Sequence, residues 1–84
     1  MAKLRWSPQV VEEMEAMPLR WAQKIYETAE LIASMPTIGR ARDELGGKRA
    51  FPSGYYFIIY DVLEDGKVVH IVDLQDCRRG DRII

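Results

Sequence analysis

The stretch from Gly54 to Leu63, Gly-Tyr-Tyr-Phe-Ile-Ile-Tyr-Asp-Val-Leu, constrains the fold more than any other part of the chain. It is the longest aromatic and β-branched run, a composition that suits a pleated and largely buried surface, so it predicts a central strand. Asp65-Gly66 follows and is a strong short-range hairpin signal, because both residues accept the positive φ angles of a turn whose twist matches its strands. The apolar run from Val68 to Leu74 is then the return strand. A tight turn at Asp65-Gly66 sets Leu63 opposite Val68, Asp61 opposite His70, Ile59 opposite Val72 and Phe57 opposite Leu74, all on one face. The other face carries Tyr56, Ile58, Tyr60 and Val62 against Val69, Ile71 and Asp73. Both faces are largely apolar, so one must meet helices and the other something else. We assign Tyr56, Ile58, Tyr60 and Val62 to the helix side. That leaves Tyr55, Phe57 and Ile59, with their strand partners, as an exposed concave surface.

The N-terminal half supplies the helices. Lys3 to Trp6 reads as a short edge strand. Ser7-Pro8 starts a helix, because serine is a favoured N-cap and proline at the first helical position has no amide hydrogen to leave unpaired. Val10, Val11, Met14 and Met17 recur at helical spacing, with Glu12, Glu13 and Glu15 on the other side near the favourable N-terminal dipole. Pro18 interrupts the pattern and suits the first turn of a second helix, from about Leu19 to Met35. Ala22, Ile25, Tyr26, Ala29, Ile32 and Ala33 form its apolar stripe. Two helices joined at Pro18 with almost no linker make an αα-hairpin. Pro36 ends the second helix, the segment to Gly39 is a connector, and Gly46-Gly47 marks a turn. Lys48 to Phe51 predicts a short strand that reverses at Pro52-Ser53-Gly54 into the central run.

The expected fold is therefore α+β: an N-terminal strand, an α-helical hairpin, then a three-stranded antiparallel meander, with the helices packed on one face of the sheet. The 84 residues predict a single domain over 1–84. It lies near the small end for a self-sufficient core, so a homodimer or a hetero-oligomer is expected. The single cysteine, Cys77, excludes an internal disulfide, and with one histidine, His70, the chain offers no zinc pattern. No cofactor is expected. No run approaches the roughly 20 apolar residues that span a bilayer, and the N-terminus shows no signal-peptide core. We therefore expect a cytoplasmic protein without a membrane partner. A net charge of −1 does not point to nucleic acid. The charges are nonetheless unevenly placed: Arg40, Arg42, Lys48 and Arg49 precede an acidic hairpin, and Arg78, Arg79 and Arg82 follow it.

Several residues recur in an order that resembles a known family. Trp6-Ser7-Pro8 opens the first helix. Pro36-Thr-Ile-Gly-Arg-Ala-Arg-Asp-Glu-Leu45 precedes the sheet. Arg49-Ala-Phe51 leads to Gly54-Tyr55-Tyr56-Phe57-Ile58-Ile59-Tyr60, and Arg78-Arg79 follows the last strand. Over nearly its whole length the chain is similar to the ParE/RelE superfamily of toxins from bacterial type II toxin–antitoxin modules. Gly39 to Leu45 with Arg49-x-Phe51 is closer to the ParE, or plasmid stabilisation, branch. The resemblance implies a cognate antitoxin. ParE-like members inhibit DNA gyrase, whereas RelE-like members cleave mRNA on the ribosome, and a member that has lost its activity would keep only antitoxin binding.

The resemblance also sorts the residues. RelE-like ribonucleases carry an arginine directly after the first tyrosine of a Y-x-x-x-Y strand. Tyr56 and Tyr60 fit that pattern, and the position is Phe57. A second arginine on the last strand matches Arg78, and a tyrosine six residues beyond it falls on Ile84. Cleavage by 2′-hydroxyl attack needs a base, an acid and cations for the phosphorane. Arginine stabilises charge but is a poor proton carrier. These departures favour the ParE-like reading. Arg78, Arg79 and Arg82 are then the expected target-binding residues. For a ribonuclease, Arg49, Arg78 and Arg79 would carry catalysis. Tyr55, Phe57 and Ile59 are the expected antitoxin platform, since exposed apolar patches mark interaction sites. Arg49 is otherwise expected to pair with Asp73 or Asp76, and His70 with Asp61, while Arg40 and Arg42 either contact the target or, as the favoured reading, pair with Asp43 and Glu44.

Overall fold

A computed structural model of the chain describes residues 1–77. Five strands form one sheet: β1 (Lys3–Trp6), β2 (Arg40–Ala41), β3 (Arg49–Ser53), β4 (Tyr56–Leu63) and β5 (Val68–Asp76), in the spatial order β1-β5-β4-β3-β2. Helices α1 (Pro8–Ala16) and α2 (Leu19–Ser34) form the hairpin between β1 and β2 and pack on one face of the sheet. The expected α+β architecture is present. Among the described residues, no helix is long and apolar enough to cross a membrane.

The helix starts obey local chemistry. The Ser7 Oγ accepts the Val10 N–H at 3.4 Å, while the Ser7 N–H donates to the Ile71 carbonyl at 3.0 Å, so one residue caps α1 and ties it to β5. In α2, Ala22, Ile25, Ala29, Ile32 and Ala33 are buried as their spacing predicts. Tyr26 is the exception on that stripe. It is half exposed, and its ring meets the edge of Trp6 at 5.2 Å. Thr28, which the apolar pattern passes over, is buried. Its hydroxyl donates to the Lys24 carbonyl at 2.9 Å and lies 2.7 Å from the Ser53 Oγ, so a satisfied polar pair fastens β3 to α2.

Ile25 and Ile32 of α2, Val10 and Met14 of α1, and Ile58, Tyr60, Val69, Ile71 and Leu74 of the sheet form the core. Each fully buried isoleucine contributes on the order of 1.5–3 kcal/mol. The assignment of Tyr56, Ile58, Tyr60 and Val62 to the helix side is correct: Ile58 and Tyr60 are fully buried there, and Tyr56 and Val62 pack at the margin.

The β4–β5 hairpin keeps the predicted register only in part. Asp65 and Gly66 both take positive φ, the Lys67 N–H closes on the Glu64 carbonyl at 3.2 Å, and Leu63 stands opposite Val68 and Asp61 opposite His70. Between Ile59 and Tyr60 the register shifts. Tyr60 pairs with Ile71, but Ile59 pairs with Asp73 rather than Val72, and Phe57 pairs with Gln75 rather than Leu74. Val72 is the extra residue of a bulge. One inserted residue moves every later side chain to the other face, so Leu74 joins the core and Asp73 leaves the helix side.

Two further features differ from the sequence expectation. Strand β3 runs to Ser53 instead of stopping at Phe51, and the reversal is at Gly54-Tyr55. Pro52 is tolerated because β2 pairs only with Arg49 and Ala50, so no neighbour beyond β2 requires an N–H from Pro52. The connector after Pro36 leads into a short strand, β2, at the sheet edge. Strand β1 is an edge strand as expected, and it runs parallel to β5.

Candidate functional site

The expected site residues do not form one surface. Arg78, Arg79 and Arg82 lie outside the described residues. Tyr55 precedes β4 and turns to the helix side, where its ring meets the edge of Trp21 of α2 at 5.1 Å. Ile59 is on the far face as predicted but is only 3% exposed, beside Ala50 of β3 and Asp73 of β5. Phe57, opposite Pro52, is half-buried and lines a pocket. The exposed concave patch expected from Tyr55, Phe57 and Ile59 is therefore absent as a set, because the turn residue leaves the strand's alternation and Ile59 is covered. Arg49 does not make the expected ion pair with Asp73 or Asp76. Its Nη1 donates to the Gly39 carbonyl at 2.6 Å. His70 faces Asp61 in register, but the ion pair at Asp61 is with the Lys48 ammonium, 3.7 Å away.

What the structure does bring together is the segment from Pro36 to Arg42, held against the end of β4. The Tyr60 hydroxyl donates to the Pro36 carbonyl at 2.7 Å and accepts the Gly39 N–H at 2.9 Å. The Arg49 guanidinium holds the Gly39 carbonyl from the other side. Glycine is required at 39 for space, since a Cβ there would sit 2.6 Å from the Tyr60 Oη and 3.0 Å from the Ala50 carbonyl oxygen. Burial raises the Tyr60 phenol above its ordinary pKa; the Gly39 N–H and the Arg49 charge oppose this less strongly. The hydroxyl therefore stays protonated and able to donate.

This clamp has two measurable consequences. Tyr60→Phe removes the hydroxyl and leaves the Gly39 N–H and Pro36 carbonyl unpaired, at an expected cost of about 1–3 kcal/mol in urea unfolding. The raised phenol also makes stability depend on alkaline pH. Below the unfolded-state value of 10.0 both states are protonated and the contribution is complete. As pH rises further the unfolded chain loses its proton first, so wild-type stability falls through the raised folded value. Tyr60→Phe should show a shallower alkaline loss, and parallel profiles for the two proteins would remove Tyr60 as its source.

Immediately after the clamp, β2 places Arg40 beside Ala50, and Arg42 follows at the strand's end. Ile38, Arg40, Arg42, Ala50, Phe51, Pro52 and Phe57 line a pocket of about 300 Å³. Five of its lining residues are apolar and the other two are arginines. Arg40 is exposed, and among the described residues it has no ion pair. Arg42 lies 3.8 Å through its Nε from Glu44 Oε1, as the pairing with Glu44 predicts, yet that distance is too long for a hydrogen bond. The Nε is buried and lacks a hydrogen-bond acceptor among the described residues. The sequence leaves Arg40 and Arg42 either as target contacts or as surface charges paired with Asp43 and Glu44, with the pairing favoured. Both arginines are visible in the sequence, but β2, at two residues, is too short to announce itself as a strand.

Among the described residues no group of three or more histidine, cysteine or acidic side chains is placed to hold a metal ion. The geometry suits binding: a sheet edge held by buried hydrogen bonds, and a largely apolar recess with two arginines in its lining. A family model described as "ParE toxin of type II toxin-antitoxin system, parDE" matches residues 4–80. No curated protein matches the chain.

Proposed function

The chain belongs to the ParE toxin family of type II toxin–antitoxin systems, and from that premise we propose that it acts in the cytoplasm by binding DNA gyrase and is silenced by a cognate antitoxin. The observation that carries the choice of a protein target over RNA is Phe57. It occupies the position where a RelE-like nuclease would place an arginine, and here it is half-buried on the wall of an apolar recess beside Pro52. A phenyl ring offers a phosphorane neither charge nor a proton. His70, the single histidine of the chain, stands opposite Asp61, four residues along β4 from Phe57. Arg78, Arg79 and Arg82 remain the proposed contacts to the target, as a cationic segment directly after β5.

Induction of the chain in a sensitive bacterium without its antitoxin tests this reading. The expected result is a DNA-damage response and arrested DNA synthesis while mRNA stays intact. Early translation arrest with cut mRNA would replace it with the ribonuclease reading, and normal growth would mark a member that only binds antitoxin. An Arg78/Arg79/Arg82→Ala variant should lose toxicity while remaining folded. Full toxicity in that variant would remove these arginines from the target contact.

A further inference from the structure

We propose that the recess between Arg40, Arg42 and Phe57 is the docking point for an acidic segment of the antitoxin, which seats an apolar side chain against Ile38, Pro52 and Phe57 and a carboxylate on Arg42. The proposal rests on the toxin–antitoxin reading and adds the place and chemistry of the contact.

Three observations support it. The first is the Arg42 Nε, which is buried and unsatisfied among the described residues, with the Glu44 carboxylate 3.8 Å away. Buried donors in folded proteins are almost always paired, and an incoming carboxylate would supply the acceptor. The second is charge. Two arginines line the recess, no acidic side chain lines it among the described residues, and Glu44 approaches Arg42 only to 3.8 Å, so an acidic partner is favoured electrostatically and steered on approach. The third is shape. About 300 Å³ of space over Ala50, Phe51 and Pro52 is large enough for a branched or aromatic side chain, and such an anchor between charges is how hot spots in interfaces are built. The backbone is also prepared for a partner. Strand β2 is the last strand of the sheet, so one of its edges is unpaired within the sheet, and a segment laid beside it would extend the sheet. The Tyr60–Gly39–Arg49 clamp fixes this edge before anything binds, which lowers the ordering cost of association.

A nucleic-acid backbone also carries anionic groups, but it presents no aliphatic side chain to fill the apolar floor. The acidic protein segment accounts for both the cations and the recess.

The test uses the full chain and the small protein encoded by the adjoining reading frame, with affinity measured by calorimetry across a salt series. Arg40→Gln/Arg42→Gln keeps the side-chain bulk and removes both charges. It should weaken binding by about thirtyfold or more and flatten the salt dependence. Ala50→Phe, which fills the floor, should weaken binding even at high salt. Arg5→Gln, at the opposite sheet edge, should bind as wild type does. Circular dichroism melts of all variants separate lost binding from lost folding. If wild type binds and the double variant, folded, binds equally well, the proposal fails while the family reading stands. If the wild-type chain does not bind this protein at all, the antitoxin reading fails and the proposal with it. Displacement of the bound protein by single-stranded RNA or DNA, lost in the double variant, would assign the arginines to nucleic acid and overturn the proposal.

Discussion

Gly39→Ala is expected to destabilise the fold by about 3 kcal/mol, combining an overpacking penalty with the disturbance of buried hydrogen bonds. For a domain of this size that corresponds to a melting point lower by roughly 12–24 °C. The reason is geometric. An added Cβ would lie 2.6 Å from the Tyr60 Oη, 2.9 Å from its Cε1 and 3.0 Å from the Ala50 carbonyl oxygen. None of these atoms can retreat cheaply. The Tyr60 side chain is fully buried in the core, and Ala50 is a backbone neighbour paired on both sides, to Arg40 and to Ile59. Moving the loop instead would break the Gly39 N–H to Tyr60 and Gly39 carbonyl to Arg49 bonds together. A double-mutant cycle isolates the contact. In a Tyr60→Phe background the closest clash is gone, so Gly39→Ala should cost about 1 kcal/mol less. Strict additivity would show that the hydroxyl and residue 39 do not meet. Because the same loop carries Arg40, a folded but loosened Gly39→Ala protein should also bind its antitoxin more weakly.

The second large effect separates the two faces of β4. Ile58→Ala is expected to cost about 3–4 kcal/mol, and Ile59→Ala about 1–2 kcal/mol. Both side chains are almost completely buried, at 0% and 3% exposure, so burial alone predicts equal losses. Their surroundings differ. Ile58 stands between Phe51 of β3 and Leu74 of β5 and belongs to the core formed with α1 and α2. A hole there is enclosed on every side and retains its full cavity penalty. Ile59 faces away from the helices, between Ala50 and Asp73, and is not part of that core. Truncation at such a site leaves neighbours free to close in or water to enter. Urea midpoints measured at constant m value will read the difference. Equal losses would mean that the far face is packed as tightly as the helix side.

Much of the architecture was legible from local chemistry. Ser7-Pro8 started α1, Pro18 separated the helices, and the 3.6-residue spacing of Ala22, Ile25, Ala29 and Ile32 marked the buried stripe of α2. Asp65-Gly66 placed the last hairpin, and alternation identified Ile58 and Tyr60 as core. The candidate site was less legible. Phe57 lines the recess, and Ile59 shares its face as alternation predicts, but Tyr55 lies outside the strand and alternation does not reveal whether a face is covered. Tyr55 belongs to the turn and packs on Trp21, and Ile59 is covered. Arg49 looked like a partner for an acidic residue because its charge is visible in sequence, whereas the carbonyl of Gly39 that it binds is not.

Periodicity, capping and turn residues act over a few positions, so the sequence alone determined the helices, the order of the principal strands and the inward face of β4. The tertiary structure decided what depends on distant pieces meeting. It set the bulge at Ile59/Tyr60 that returned Leu74 to the core, since a ladder's register follows the packing of its neighbours as well as its own pattern. It set the parallel pairing of β1 with β5, across most of the chain. It also set the contact of the Tyr60 hydroxyl with Gly39, 21 residues earlier, which makes a two-residue segment a strand and places Arg40 and Arg42 over an apolar recess. No local preference of Arg40-Ala41 encodes that edge. It exists because buried hydrogen-bonding groups from two remote parts of the chain had to be satisfied in the same place.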